Sequence, residues 1–177
     1  LLAIDIGNSS VKFGLFENEI LHRKFSIPTV RTLTANDIYS QILPQSLSKI
    51  SAVIISSVVP ELKNSFRELF MENFNIEPIF IENSFDFGFE IKYFPPENLG
   101  VDRIIAAFAA VEKYGKPCII CDFGTATTID AVNSKTEYLG GIITPGIDTL
   151  SEALFLKTAK LPRVEIKKPK NVIGNST

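Results

Sequence analysis

The feature that most constrains this chain is a phrase that occurs twice. Ala3-Ile4-Asp5-Ile6-Gly7-Asn8-Ser9-Ser10 closes one apolar run and Ile120-Cys121-Asp122-Phe123-Gly124-Thr125-Ala126-Thr127-Thr128 closes another, the two aspartates standing 117 positions apart (122 less 5). Each carries Asp-x-Gly, then small hydroxyl or amide residues, then a second apolar stretch. A strand that ends this way and turns straight back presents a carboxylate and open backbone N–H groups at one bend. Glycine at the turn tolerates positive φ and lets a ligand approach the main chain. Two such bends facing one another would clamp a metal-bound polyphosphate, which points to phosphoryl transfer. A period this long is no solenoid unit and predicts two related lobes.

The lobes divide near Gly115–Pro117, giving a first lobe over 1–115 and the start of a second over 116–177. Leu1–Ile6 and Val11–Phe16 predict an antiparallel pair, and Ile20–Ile27 a third strand stopped by Pro28. Thr34 caps a helix over Ala35–Leu43, with Pro44 just beyond. The β-branched run Ala52–Val58 reads as a central parallel strand. Pro60 then opens a helix that buries Leu62, Phe66, Leu69, Phe70 and Phe74. Ile79–Ile81 is a short strand and Asn83–Asn98 an irregular flap. Val101–Tyr114 is a helix with Ile104, Ile105, Phe108 and Val111 on its apolar stripe, stopped by Gly115. The opening then recurs as strands Pro117–Phe123, Thr127–Val132 and Glu137–Ile143, followed by a helix over Asp148–Phe155. Matching the first lobe takes two more strands and helices, so a missing C-terminal portion is expected.

Several function classes drop out on composition. A 177-residue chain with 45% hydrophobic and 21% charged residues is ordinary globular material. Its formal net charge of −2 carries no footprint for nucleic acid. The basic stretch Lys160–Lys170, broken by Pro162 and Pro169, reads as a solvated connector. Asp5 and Gly7 interrupt the apolar opening far short of the roughly 20 residues that span a bilayer. A cytoplasmic protein with no membrane partner is therefore expected. Cys118 and Cys121 stand three apart on what reads as a buried strand, so their side chains point to opposite faces. With no second cysteine pair and His22 the only histidine, structural thiols are expected rather than zinc, a redox pair or a Ser-His-Asp triad. Gly115-Lys116-Pro117 lacks the hydroxyl residue and glycine spacing of a Walker loop, and there is no G-x-G-x-x-G.

Asp5, Gly7, Asn8, Ser9 and Lys12 form the first candidate phosphate bend. Lys12 either reaches a phosphate as a point charge or faces solvent. Asp5 either serves the ligand or bonds its own turn. Asp122 is placed to hold a cation, directly or through water, since hard cations prefer oxygen ligands. Gly124, Thr125, Thr127 and Thr128 can donate to phosphate oxygens, although threonines also suit an ordinary strand. Asp130, on the same strand, is left to solvent. Asn98-Leu99-Gly100-Val101-Asp102-Arg103 opens a helix. Asp102 there is either a first-turn carboxylate favoured by the helix dipole or the base for an acceptor alcohol. Arg103 is either a surface partner or a fork that orients the acceptor or a developing phosphate charge.

Together these blocks resemble the type III pantothenate kinases, members of the acetate and sugar kinase, Hsp70 and actin superfamily. The resemblance runs through Asp5-Ile6-Gly7-Asn8-Ser9, Gly100-Val101-Asp102-Arg103 and Asp122-Phe123-Gly124-Thr125-Ala126-Thr127-Thr128. It continues through Gly140-Gly141-Ile142-Ile143-Thr144-Pro145-Gly146 and Thr158-Ala159-Lys160-Leu161-Pro162, with Ser9 standing where threonine is common. It implies an α/β fold of duplicated actin-like (ribonuclease H-like) lobes, mixed sheets flanked by helices, the second lobe incomplete. It also implies ATP-dependent phosphorylation of the terminal hydroxyl of pantothenate, the first step toward coenzyme A. On that resemblance the loop of Asp5, Ile6, Gly7, Asn8, Ser9, Ser10, Val11 and Lys12 binds ATP phosphates, and Thr125 touches ATP. Asp102 accepts the alcohol proton, and Tyr93, Gly100, Val101, Asp102, Arg103 and Thr177 line the pantothenate site. Asp122 ligates a monovalent cation, K+ or NH4+. Mg2+ and a homodimer formed through the helix after Pro145-Gly146 are further implications. Three rival expectations are a kinase of another small hydroxylated substrate, a non-catalytic accessory regulator and a structural actin-like protein.

Overall fold

Period-2 burial builds the first sheet. In the computed structural model, which describes residues 1–42, 50–168 and 171–173, strand β1 (Leu2–Ile6) buries Leu2, Ile4 and Ile6. The intervening Ala3 and Asp5 turn to the other face, as alternation requires. β2 (Ser10–Glu17) returns antiparallel, setting Lys12 directly across from Asp5, and β3 (Ile20–Pro28) continues the meander. β4 (Val53–Ser57) then lies parallel to β1 and carries the short parallel β5 (Ile79–Phe80) on its far side. The order β3-β2-β1-β4-β5 makes a mixed sheet with β1 and β4 inside it.

Two helices complete this core. α1 (Ala35–Ile42) buries Ala35, Ile38 and Ile42, and α2 (Lys63–Phe74) buries Phe66, Leu69 and Phe70. These join Leu2, Ile4, Ile6, Val11, Phe13, Val53 and Ile55 in one apolar cluster. Thr34 caps α1 as expected. Its hydroxyl accepts from the Asp37 N–H (3.2 Å), while Asp37 Oδ2 accepts from the Thr34 N–H (2.9 Å) and hydroxyl (2.6 Å). That reciprocal pair satisfies donors a bare helix end would leave open. Pro60 opens a single 3-10 turn, Pro60–Leu62, and α2 follows directly.

The expected flap at 83–98 is only partly irregular. Glu90–Ile91 forms β6, paired parallel with a later strand, and Pro96–Asn98 makes one 3-10 turn. The alternation Phe89-Glu90-Ile91-Lys92-Tyr93 carries the strand signal, which the flanking Gly88 and Pro95-Pro96 mask. α3 (Val101–Tyr114) follows, ended by Gly115 at φ +83, whose N–H bonds the Val111 carbonyl at 2.8 Å.

Backbone contacts divide the chain into two compact units, Leu1–Gly88 with Phe94–Phe108, and Phe89–Tyr93 with Ala109–Thr177. The second unit is built on β7 (Cys118–Phe123), β8 (Ala126–Val132) and β9 (Glu137–Pro145), then α4 (Ile147–Lys157). Its sheet has the order β6-β9-β8-β7, antiparallel except where β6 meets β9. Mixed sheets flanked by helices thus occur in both units.

β7 is not the buried strand expected. It lies at the sheet edge, with Ile119 and Phe123 about 70% exposed, because no described strand pairs along its outer side. Cys118 and Cys121 are both free thiols, but Cys118 is only part-buried and Cys121 is exposed, where thiols of a buried strand were expected. Asp130 is corrected in the opposite sense. It is buried, not solvent-facing, and its carboxylate accepts a 2.6 Å hydrogen bond from the hydroxyl of fully buried Tyr138. Glycine at the paired position 141 lets the strands close in: a Cβ there would strike the Ile129 carbonyl oxygen first and Asp130 Oδ1 next. No described helix is long and apolar enough to cross a membrane.

Candidate functional site

The first bend is closed by its own backbone. Gly7 N–H donates to the Ser10 carbonyl (3.1 Å), so that donor is taken rather than open. Thr29, just beyond β3, clamps the bend by donating its hydroxyl to the Gly7 carbonyl (2.7 Å) and its N–H to Ser9 (3.1 Å). Neither Gly7 nor Gly124 has positive φ, contrary to the expectation for these turns. What Gly7 provides is space, since a Cβ there would sit 3.2 Å from the Ser10 carbonyl oxygen. Asn8 and Ser9 are exposed, Ile6 and Val11 are buried in the core, and Ser10 begins β2. Lys12 Nζ stands 3.7 Å from Asp5 Oδ2 with both side chains partly in solvent, an ion pair worth little to stability. Its site is nevertheless a lysine and a carboxylate on one face beside an exposed turn. Ser56, paired with Asp5 in register, buries a hydroxyl with no partner among the described residues.

The same unit carries the Gly100–Arg103 block. β4 ends at Ser57, and the next residue, Val58, donates its N–H to the Ile6 carbonyl (3.1 Å) beside the bend. Ser57, Val58, Lys63, Asn83, Gly100 and Val101 are among the residues lining a cavity of about 360 Å³ at this end of the sheet. Open α/β sheets bind ligands outside the carboxyl ends of their parallel strands. Asn83 ties the loop to the helix start by donating its amide to the Leu99 carbonyl at 2.6 Å.

Asp102 sits half-buried in the first turn of α3, where its Oδ1 accepts the Arg103 N–H at 2.9 Å. A Cβ on Gly100 would collide with that same oxygen. Glycine at 100 therefore clears room for the carboxylate. Arg103 is not a surface residue: it is only 7% exposed and belongs to the buried face of α3 with Val101, Ile104 and Ala107. Phe108 leaves the expected stripe, is 40% exposed, and meets Phe87 edge-on at 6.1 Å.

The second unit repeats the bend with different partners. Gly124 N–H donates to the Ala126 carbonyl (3.0 Å). The Thr125 carbonyl accepts from Gly146 N–H (2.9 Å) and from the Thr149 hydroxyl (3.1 Å) in α4. Gly146 packs so closely that a Cβ would strike the Gly124 carbonyl oxygen. Asp122 is exposed on β7 and faces Thr128 in register, so these two share a side of the sheet; Thr127 is buried. Carboxylate and hydroxyl oxygens there suit a hard cation that keeps part of its water shell. No group of three or more candidate metal ligands occurs among the described residues.

Tyr93 follows β6. Beside it, Lys92 pairs with Glu90 and lies 3.6 Å from Glu137. The Glu90 carboxylate holds the Lys92 ammonium above its ordinary pKa, and the Asn133 amide holds Glu137 below the usual carboxylate value. Thr177 lies outside the described residues. The buried Asp130–Tyr138 pair and the space-clearing roles of Gly100 and Gly146 were missed from sequence. Asp130 did carry a signal, since it stands between Ile129 and Ala131 in an otherwise apolar strand.

Comparison with known proteins gives a consistent set of matches. The family model for type III pantothenate kinase matches residues 1–177. A type III pantothenate kinase of Finegoldia magna is 43% identical over 184 residues, covering 100% of this chain and 70% of the relative. One of Koribacter versatilis is 40% identical over 195 residues, with the same coverages. A crystal structure from Campylobacter jejuni, named for a Baf family transcriptional activator, superposes with a TM-score of 0.55 at 26% identity. It covers 89% of this chain, which spans 61% of that one.

Proposed function

Because this chain belongs to the type III pantothenate kinase family, we propose that it transfers the γ-phosphoryl group of ATP to the terminal hydroxyl of pantothenate. The observation that supports this reading is the half-buried Asp102 carboxylate in the first turn of α3, directly after Gly100 and Val101, which line the cavity. Asp102 takes the hydroxyl proton as the pantothenate oxygen bonds the γ-phosphorus and the bond to the β–γ bridging oxygen breaks, leaving ADP. A positioned base contributes about 10²–10⁴-fold. The remainder is positioning and charge neutralisation, because the transferring phosphoryl group spreads its charge over its oxygens.

The exposed loop of Asp5 to Lys12 would receive the ATP phosphates. Lys12 would exchange its weak pairing with Asp5 for a phosphate oxygen. Thr125 would meet ATP from the second bend. Gly100, Val101, Arg103, Tyr93 and Thr177 would receive pantothenate, the buried Arg103 fork orienting it. Asp122 would hold a monovalent cation, K+ or NH4+, and Mg2+ would arrive with ATP; a bound cation supplies charge neutralisation at the phosphates. A homodimer in the cytoplasm completes the proposal. The oxygen atoms at Asp122 and Thr128 support the cation site, and the exposed apolar residues Leu150, Leu154 and Phe155 of α4 support the homodimer.

The test is formation of phosphopantothenate from ATP and pantothenate, run beside a panel of sugars and short hydroxy acids. Conversion of pantothenate alone is the expected result, and turnover of another alcohol alone would replace the substrate. The name of the Campylobacter relative gives a second reading, that of a regulator. The net charge of −2 speaks against direct DNA binding. A salt-dependent shift of DNA with no kinase activity would favour it.

A further inference from the structure

The bulge in β9 makes a socket beside Tyr93. Between β8 and β9 the register passes from Ala131 opposite Gly140 to Val132 opposite Tyr138, leaving Leu139 as the extra residue. Such bulges re-aim a strand locally. Gly140, next to it, takes φ +97, a conformation side chains resist. On the other side of β9, β6 pairs Ile91 with Tyr138, and Lys92 N–H donates to the Tyr138 carbonyl at 2.8 Å. That bond fixes the residue before Tyr93. The Tyr93 ring then comes to the bare backbone of Gly140, where a Cβ would lie only 3.3 Å from its Cδ2. Behind this seat, the Tyr138 hydroxyl is locked to buried Asp130, and Gly141 leaves space for that carboxylate.

We propose that Gly140, in a bulge pinned by the Asp130–Tyr138 pair, is a positioning residue that seats the Tyr93 ring for contact with substrate. This rests on the reading above in which Tyr93 meets pantothenate. Gly140 touches neither substrate nor nucleotide. It acts by what it lacks: the absent methyl gives the ring its place, and the fixed β6–β9 bond prevents Tyr93 from moving aside as a strand.

A double-mutant cycle tests the seat. Gly140→Ala raises KM for pantothenate about fivefold and leaves KM for ATP unchanged, the pattern of lost substrate binding alone. In a Tyr93→Ala background the same substitution adds nothing, since the ring it displaces is gone. Equal fold-increases in both backgrounds would overturn the proposal. Unfolding midpoints of the same four proteins need no substrate: the drop caused by Gly140→Ala shrinks when Tyr93 is alanine, and an equal drop overturns the seat. Because φ +97 strains any side chain at 140 in either background, the seat is read from the difference between the two drops. If Gly140→Ala does not fold, Gly140→Asn, better tolerated at positive φ, takes its place in the same cycle with the same two outcomes. A Tyr93→Ala variant with unchanged pantothenate KM would overturn the substrate role of Tyr93, and the midpoint cycle still decides the seat separately.

Discussion

At the first bend Gly7 donates to Ser10 and Thr29 reaches back to Gly7 and Ser9; at the second Gly124 donates to Ala126, and Gly146 and Thr149 reach back to Thr125. The clamps correspond in sequence as well, since Pro28-Thr29 and Pro145-Gly146 stand the same 117 positions apart as the two aspartates (145 less 28). Behind the bends the likeness ends. The first lies at the end of β1, a central strand backed by Phe13, Phe66 and the rest of the apolar cluster. The second lies at the end of β7, an exposed edge strand. A local phrase therefore specifies the turn and its clamp, while burial is set by which strands and helices lie alongside.

The largest effect expected from this contrast is in the first core. Phe66 is fully buried, 6.4 Å from the Phe13 ring, and Phe66→Ala should cost about 3–5 kcal/mol in urea denaturation. Phe123→Ala on the exposed edge should change stability by under about 0.5 kcal/mol. Similar costs for the two would erase the distinction. A smaller difference separates the bends themselves. Gly146→Ala drives a methyl into the Gly124 carbonyl and should cost about 1–3 kcal/mol, as overpacking does. Gly7→Ala meets only the Ser10 oxygen at 3.2 Å and should fall at or below the lower end of that range. A reversed order of unfolding midpoints would show that space at the second bend is not what glycine supplies.

The smallest effect concerns the helices beside the sheets. α1 has the Thr34–Asp37 box, whereas α4 begins at Gly146 with no side-chain cap. Thr34→Ala should cost about 1 kcal/mol. Hydrogen bonds from Thr34 hold the Asp37 carboxyl below its ordinary value of 3.8. Its contribution is therefore complete above that value and is lost as pH falls through the lowered one. The gap between Thr34→Ala and the parent protein should narrow in acid. A gap independent of pH would remove Asp37 from the cap.

Much of this was legible beforehand, for local reasons. The apolar run Leu1–Ile6, the helical spacing from Leu62 to Phe74, the Thr34 cap and the Gly115 stop each lie in a few neighbouring residues, and the structure has a strand at Leu2–Ile6, a helix over Lys63–Phe74, the cap and the stop. What escaped depends on distant partners. β6 exists because β9 is there to pair with it. Asp130 is buried because Gly141 makes room and Tyr138 supplies a hydroxyl, neither visible from its own strand. At the site, Asp5 opposite Lys12 follows from hairpin register. The room that Gly100 gives Asp102 depends on a side-chain rotamer, which motif spacing does not encode.

The central claim is that Asp102 removes the proton from the accepting hydroxyl. Turnover and unfolding midpoint of Asp102→Asn, measured beside the parent protein with ATP and pantothenate, test it most directly. The account predicts a fall in kcat of about 10²–10⁴-fold with the midpoint essentially unchanged. Undiminished kcat in a folded Asp102→Asn protein would contradict it.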